Sequence, residues 1–283
     1  MHPVLHSDLD LARRLEGTEV AGNTEFVEAR ARVDPEAAAE WTEVAGARAL
    51  FDGPESPCTQ VFGLGVFDPV EETHLERIEA FYRERGSATF LEVCSLAPPS
   101  LHGMLADRGY RPIELSHVMV RPLDKAIPES DAAGDAGITI RPAEPDEAAA
   151  WAYLSAEGWS DEAPQYLDFI RDLGRVNAAR RDTICFYAEA SGQPIATGAL
   201  CIGEGVALLA GASTIPRARR RGAQTALLAA RLHVARDRGC DLAMVVTEPG
   251  SRSQRNAERN GFQVAYGRTK WHRPLSGDES HVP

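Results

Sequence analysis

Two stretches of this 283-residue chain keep the same order of landmarks, and that repetition limits what it can fold into. "RERG" (83–86) leads into the β-like run "ATFLEV", then "ADRGY" (106–110), and closes on "VRPL" (120–123). In the second half "RDRG" (236–239) leads into "DLAMVV", then "AERNGF" (257–262), and closes on "HRPL" (272–275). From Gly109 to Leu123 and from Gly261 to Leu275 the spacing is the same; upstream it slips by one residue. A matched order of helix end, strand, helix, Gly-aromatic pair and strands is the mark of a duplicated unit. The segment "DKAIPESDAAGDAG" (124–137) is rich in Pro, Gly, Ala, Ser and Asp, lacks periodicity and has linker composition. We therefore expect a first domain over 1–123, a linker over 124–137, a second domain over 138–276 and a tail over 277–283. The length suits two domains better than one.

The second half reads as α+β, with a mixed, mostly antiparallel sheet flanked by helices. "ITIRPA" (138–143) alternates like an opening strand, and "EPDEAAAWAYLSAEG" (144–158) has helix-start residues followed by helix formers. "PQYLDFIRDLGR" is a second helix. "TICFYAEA" (183–190), "IATGALCI" and "VALLAGAST" (206–214) are strands joined by the turns "SGQP" and "GEG". A helix from Gly222 to about Arg238 puts Leu227, Ala230 and Val234 on one face, with Arg231 and Arg238 on more polar parts. "LAMVVT" (242–247) is continuously apolar and suits a sheet centre. A helix over "SRSQRNAERN" and a final strand pair close the unit.

The chain is acidic, with formal net charge −12, yet Arg217, Arg219, Arg220 and Arg221 crowd the residues before Gly222 in "PRARRRGAQTALLAARL" (216–232). A helix N-terminus already carries unsatisfied N–H groups and partial positive charge. Adding arginines there stacks like charge on like, which folding does not require. It becomes favourable if a phosphate-bearing ligand docks, gripped by backbone N–H groups and neutralised by guanidinium groups. Gly222 and Ala223 leave room for that approach. The overall acidity weighs against a nucleic-acid-binding protein. Solvated arginines on a loop are the plain alternative.

Other chemistries find little support. Cys58, Cys94, Cys185, Cys201 and Cys240 include no CxxC pair and read as reduced core thiols. The eight histidines show no ligand spacing, so no metal is expected. There is no GxSxG elbow, and no Walker-type lysine follows the glycine loop. The opening "MHPVLHSDLDLARRLEG" has no apolar core of signal-peptide length, and no apolar run reaches membrane-span length. The expectation is a cytoplasmic protein with no membrane or nucleic-acid partner.

"STIPRARRRGAQTALL" resembles the acyl-CoA-binding signature of the GNAT N-acetyltransferases: Arg or Gln, two residues, Gly, one residue, then Gly or Ala. Arg219, Gly222 and Gln224 fill it, with Gln in place of the usual small residue. "SQRNAERNGF" (253–262) resembles the family's later cofactor motif, and the resemblance runs from about residue 137 to 276. It implies two tandem acyl-CoA N-acyltransferase-like domains, the second using acetyl-CoA as co-substrate. Ala212, Ser213 and Thr214 would then offer backbone groups to the pantetheine arm. Arg219, Arg220, Arg221, Gly222, Ala223, Gln224 and Thr225 would cradle the pyrophosphate. Ser253 and Asn256 would line the cofactor's other side; a capped, polar helix start accounts for them equally well.

Acetyl transfer to an amine needs a neutral amine, an exposed thioester and a proton for the departing thiolate. Many family members carry a tyrosine four residues before the glycine of the Gly-Phe pair, where this chain has Ala257. Tyr266 is the nearest replacement acid, with a core aromatic as the alternative. Glu248 is the candidate base, acting directly or through water, with a solvated loop carboxylate as the alternative. Trp159, Asp161 and Glu162 follow the first helix, where the family often builds its acceptor pocket, and could hold a cation or simply form a turn. In the first domain "VFDPVEETHLERIEA" (66–80) occupies the phosphate-loop position without Arg-x-x-Gly, and Glu71 and Glu72 stand at the helix start. That domain is expected to be degenerate and to bind no cofactor. The function implied is acetyl, or short acyl, transfer from CoA to a primary amine of a small molecule or peptide. The alternative is a non-catalytic acyl-CoA sensor or structural paralogue. Pairing of halves within one chain is compatible with a monomer and leaves a homodimer open.

Overall fold

The computed structural model describes residues 6–127 and 137–275. Most of the expected linker and all of the expected tail lie outside the described residues. In chain order the elements are α1 (Leu9–Val33), β1 (Glu40–Val44), β2 (Ala47–Phe51), β3 (Val61–Phe62), α2 (Glu72–Glu84) and β4 (Thr89–Cys94). Then come α3 (Pro99–Asp107), β5 (Arg111–Pro122), β6 (Ile138–Pro142), α4 (Ala148–Glu157), α5 (Leu167–Ala178) and β7 (Thr183–Ala190). The series ends with β8 (Gln193–Gly203), β9 (Val206–Thr214), α6 (Ala223–Asp237), β10 (Leu242–Thr247), α7 (Arg252–Arg259) and β11 (Gln263–Arg273). Two compact units result, one combining residues up to Val120 with those from Val246 onward, the other running from Arg121 to Val245.

This division differs from the expected 138–276 domain. The chain's final segment packs with the first unit because β11 lies antiparallel to β4 on one side and β5 on the other. Arg268 pairs with Cys94 and Arg273 with Thr89 across the first ladder. Gln263 pairs with Val120 and His272 with Arg111 across the second. Neighbours on both sides fill the hydrogen-bonding capacity of the strand. The closing strand pair expected from sequence is one eleven-residue strand, bent by register shifts near Val264 and Lys270.

The repeat is visible as repeated helix ends. Gly86 and Gly239 follow α2 and α6 at φ +64° and +82°, and Gly109 and Gly261 follow α3 and α7 at +82° and +81°. The next residue donates its N–H five positions back in every case: Ser87 to Tyr82, Cys240 to Ala235, Tyr110 to Leu105 and Phe262 to Ala257. These are left-handed helix stops. The strands that follow the Gly-aromatic pairs, β5 and β11, are ladder partners of each other.

In the first unit the strand order is β1-β2-β3-β4-β11-β5. Only β3 and β4 are parallel there. Leu75, Ile78, Phe81 and Tyr82 of α2 pack with Leu91, Val93, Leu101 and Leu105. Val20 and Val27 of α1 meet Leu50 and Phe62. α1 also carries Glu16 into the interior, where its Oε1 accepts from the Tyr266 hydroxyl at 2.8 Å and Arg268 Nε at 2.7 Å. Burial is the largest influence on Glu16 and raises its carboxyl above the ordinary value, with the Arg268 guanidinium pulling it down. A carboxyl raised on folding binds its proton more tightly in the folded chain, so its contribution to stability falls as pH rises above the ordinary carboxyl value. Glu16→Gln removes that slope. The variant's melting temperature relative to wild type should climb between about pH 4.5 and pH 7; a difference that stays flat in thermal melts would refute this.

In the second unit the order is β10-β9-β8-β7-β6. β10 and β9 are parallel, and the other pairs are antiparallel. The strands over 183–190, 206–214 and 242–247 have the bounds read from the sequence. Neighbouring residues of β8 face opposite sides: a Cβ on Gly198 would meet Arg231 of α6, whereas Ala199 packs with Trp151 of α4. Helix α6 therefore covers one face and α4 the other. Gly174 lets α5 approach α4 closely at Ala152, where an added Cβ would stand 3.1 Å away.

Candidate functional site

The site is built where β9 leaves its parallel neighbour. Val206, Ala207 and Leu208 pair with Leu242, Ala243 and Met244, and the pairing stops there. From Leu209 to Thr214 the edge of β9 facing β10 has no strand partner among the described residues. On the β8 side the register shifts between Thr197, opposite Ser213, and Ala199, opposite Ala210. Gly198 thus faces both Gly211 and Ala212, a β-bulge, and both residues are exposed. Ser213 turns inward: its hydroxyl donates to the Ser155 carbonyl at 2.9 Å and lies 3.0 Å from Thr197 Oγ1.

Beyond β9 a short turn, Pro216–Ala218, leads to Arg219. Arg220 has φ +63° and Gly222 has φ +85°. Gly222 is the N-cap of α6 and supplies no side-chain cap, and no acidic residue stands in the first turn. The first helical bond runs from Ala226 N to Gly222 O, at 3.0 Å. The N–H groups of Ala223, Gln224 and Thr225 therefore have no partner among the described residues, leaving a helix start suited to an anion.

The four arginines do not act alike. Arg217 forms an ion pair with Glu157. Arg219 binds both oxygens of Asp161 at 2.8 Å and approaches Glu162 at 3.1 Å. It also donates to Gly158 O at 2.7 Å and Thr214 O at 3.3 Å. Its guanidinium is thus committed to the segment after α4, which corrects the expectation that it faces a pyrophosphate. The same contacts revise the reading of Asp161 and Glu162 as an acceptor's cation site, since both already answer Arg219. Arg220 and Arg221 are exposed and have no ion pair or hydrogen bond among the described residues. Gln224, the departure from the small-residue pattern, folds back and donates to Thr214 Oγ1 at 2.7 Å, tying the helix start to the end of β9.

A splayed parallel pair, a bulged strand and an uncapped, arginine-flanked helix can now be set beside known proteins. Residues 146–262 match the acetyltransferase (GNAT) family. Over that segment the chain is similar to a GNAT-family domain. No curated protein matches it. Among solved structures, a GCN5-related N-acetyltransferase from Kribbella flavida is 21% identical with TM-score 0.62, over 87% of this chain and 94% of that one. One from Sphaerobacter thermophilus is 18% identical with TM-score 0.54, over 76% and 72% of the two chains. A tandem GNAT protein of the clavulanic acid biosynthesis pathway is 15% identical with TM-score 0.55, over 81% and 74%. The likeness establishes the GNAT fold, and the family supports acyl transfer from CoA.

The remaining candidates fall in the unit that holds β11. Glu248 is exposed, and its carbonyl accepts from Ser251 N at 3.2 Å. Ser253 is exposed on α7, and Asn256 is half-buried. The cap of α7 is Ser251, whose hydroxyl accepts from Gln254 N at 3.1 Å. Tyr266 is 5% exposed and its hydroxyl is spent on Glu16. Burial, with the nearby Glu16, holds the phenol far above its ordinary value. A general acid must reach the group it protonates, so the core-aromatic reading of Tyr266 replaces the catalytic one. Arg231, expected on a polar part of α6, is 4% exposed. Among the described residues no three His, Cys, Asp or Glu side chains gather as a metal site would require. No described helix is long and apolar enough to cross a membrane.

The matching helix of the first unit, α2, starts differently. Its N-cap is Glu71, with Glu72 in the first turn, and His74 Nδ1 accepts from Glu71 N at 3.1 Å. In the preceding loop Leu64 and Val66 are buried in the unit's own core.

Proposed function

We propose that this GNAT protein binds acetyl-CoA through its second unit and transfers the acetyl group to a primary amine. The observation that carries the reading is the uncapped start of α6, with unpartnered Arg220 and Arg221 beside it, at the end of a strand whose edge is free. The N–H groups of Ala223, Gln224 and Thr225 grip pyrophosphate oxygens, and the two arginines neutralise them. The pantetheine arm runs along β9 at Ala212–Thr214, an extended chain laid on a free strand edge. Ser253 and Asn256 are further proposed cofactor contacts. The neutral amine attacks the thioester carbonyl in a ternary complex. A C–N bond forms, the C–S bond breaks, the amine's proton passes to a base, and the CoA thiolate takes up a proton. Glu248 is the proposed base, directly or through water. The first unit, with carboxylates at its helix start and apolar side chains in its loop, is proposed to bind no CoA, giving one site per chain.

A second reading, a non-catalytic acyl-CoA sensor, is favoured by Ala257 at the usual acid position and by the burial of Tyr266. Thiol release from acetyl-CoA, followed over a panel of primary amines, separates the two. The enzyme reading expects release that requires an acceptor and slows in Glu248→Gln with acetyl-CoA binding intact. Binding without release from any amine would establish the sensor instead.

A further inference from the structure

Arg231 lies at the centre of α6 with its side chain wholly inside the second unit. A buried guanidinium is costly unless its donors are satisfied, and such groups are usually paired with a carboxylate. Here the guanidinium is held by backbone carbonyls. Nε donates to Leu227 O at 3.1 Å, one helical turn back. Nη1 donates to Ala199 O at 3.0 Å and Ala210 O at 3.3 Å. Burial lowers its pKa to about 10, which still leaves it charged at neutral pH.

The last two carbonyls belong to the paired residues on one side of the β8–β9 bulge. Opposite the guanidinium is Gly198, the single residue facing the two bulged ones, where an added Cβ would stand 3.1 Å from Arg231 Cζ and 3.3 Å from Nε and Nη1. A bulge interrupts the ladder, and interrupted carbonyls inside a protein need other donors. Arg231 is that donor, and Gly198 provides its space. The bulge in turn puts Gly211 at φ +57° and leaves Gly211 and Ala212 exposed at the free edge of β9.

We propose that Arg231 is a positioning residue: it holds the β9 bulge in the shape that presents the Gly211–Ala212 backbone to the acyl-pantetheine arm. The inference rests on the acetyl-CoA reading above. It assigns a function to a buried charge that touches neither phosphate nor the reacting atoms.

The test separates the two ends of the cofactor. Calorimetric affinities for acetyl-CoA and for 3′-phospho-ADP, the CoA fragment without pantetheine, are measured on wild type, Arg231→Met, Arg231→Lys and Gly198→Ala. Met fills the space without donors, Lys restores charge and some donors, and Ala displaces the guanidinium without deleting it. Acetyl-CoA should bind about tenfold more weakly to the Met and Ala variants, with Lys between them and wild type, while 3′-phospho-ADP stays within about twofold throughout. Should Arg231→Met fail to fold, Gly198→Ala carries the comparison alone. Acetyl-CoA affinity left unchanged, or both ligands weakened equally, would overturn the positioning role. A wild-type protein that binds neither ligand would instead remove the acetyl-CoA reading itself, and this inference with it.

Discussion

Thr225→Glu should leave the protein folded and weaken acetyl-CoA by about 2 kcal/mol or more, roughly thirtyfold or greater. Thr225 is exposed in the first turn of α6, where the N–H groups lack partners. A carboxylate three residues past the N-cap is welcome to the helix, contributing about 0.3–1 kcal/mol through the dipole. The same carboxylate would meet the pyrophosphate at close range and compete for the N–H groups. The substitution reproduces in the second unit what Glu71 and Glu72 do at the start of α2. Thermal melting should show equal or higher stability, and calorimetry a large loss of binding. Weakened folding with intact affinity would mean that the anion site lies elsewhere.

The arginines should divide into two behaviours. Arg220→Ala with Arg221→Ala should weaken acetyl-CoA by about 1.5–3 kcal/mol in total, the scale of one charged hydrogen bond, because both side chains are exposed and partly screened. Melting temperature should hardly move, since neither has a partner to lose. Arg219→Ala should act in the opposite order. It strands Asp161 and Glu162 and two carbonyl acceptors, and at about a quarter exposed its loss should destabilise the unit by about 1–2 kcal/mol. Affinity should fall less than in the double variant. Asp161→Asn should follow Arg219→Ala in stability. If Arg219→Ala instead cost affinity alone, the salt bridge would be incidental to its role.

Much of the second unit could be read from the sequence because its strands are short, apolar and bounded by turns. The 183–190, 206–214 and 242–247 runs need no partner to be recognised. Three features could not be read that way, for separate reasons. The 3.6-residue period sorts α6 positions by hydrophobicity, so an arginine is assigned to water; its carbonyl partners at Ala199 and Ala210 leave no mark on residue type. Only Gly198, small where a strand would favour a larger residue, hints at the guanidinium. Arg219 sits inside a phosphate-loop pattern, while Asp161, which holds it with both oxygens, lies 58 residues earlier. For β11, alternation reveals a strand but says nothing about which ladder it joins, so Tyr266 could not be placed against Glu16 in advance.

The place of β11 has a consequence for the order in which the chain can be made. Synthesis runs from the amino end, and β4 and β5 emerge long before the strand that pairs with both. Residues 121–245 are contiguous and can close as they leave the ribosome. The first unit must wait for residues 263–273, with two strand edges open in the meantime. The half made first is therefore the half finished last. A premature stop between α6 and β11 would release a nascent chain whose exposed edges are a template for aggregation, even though every residue of its phosphate loop had already been translated.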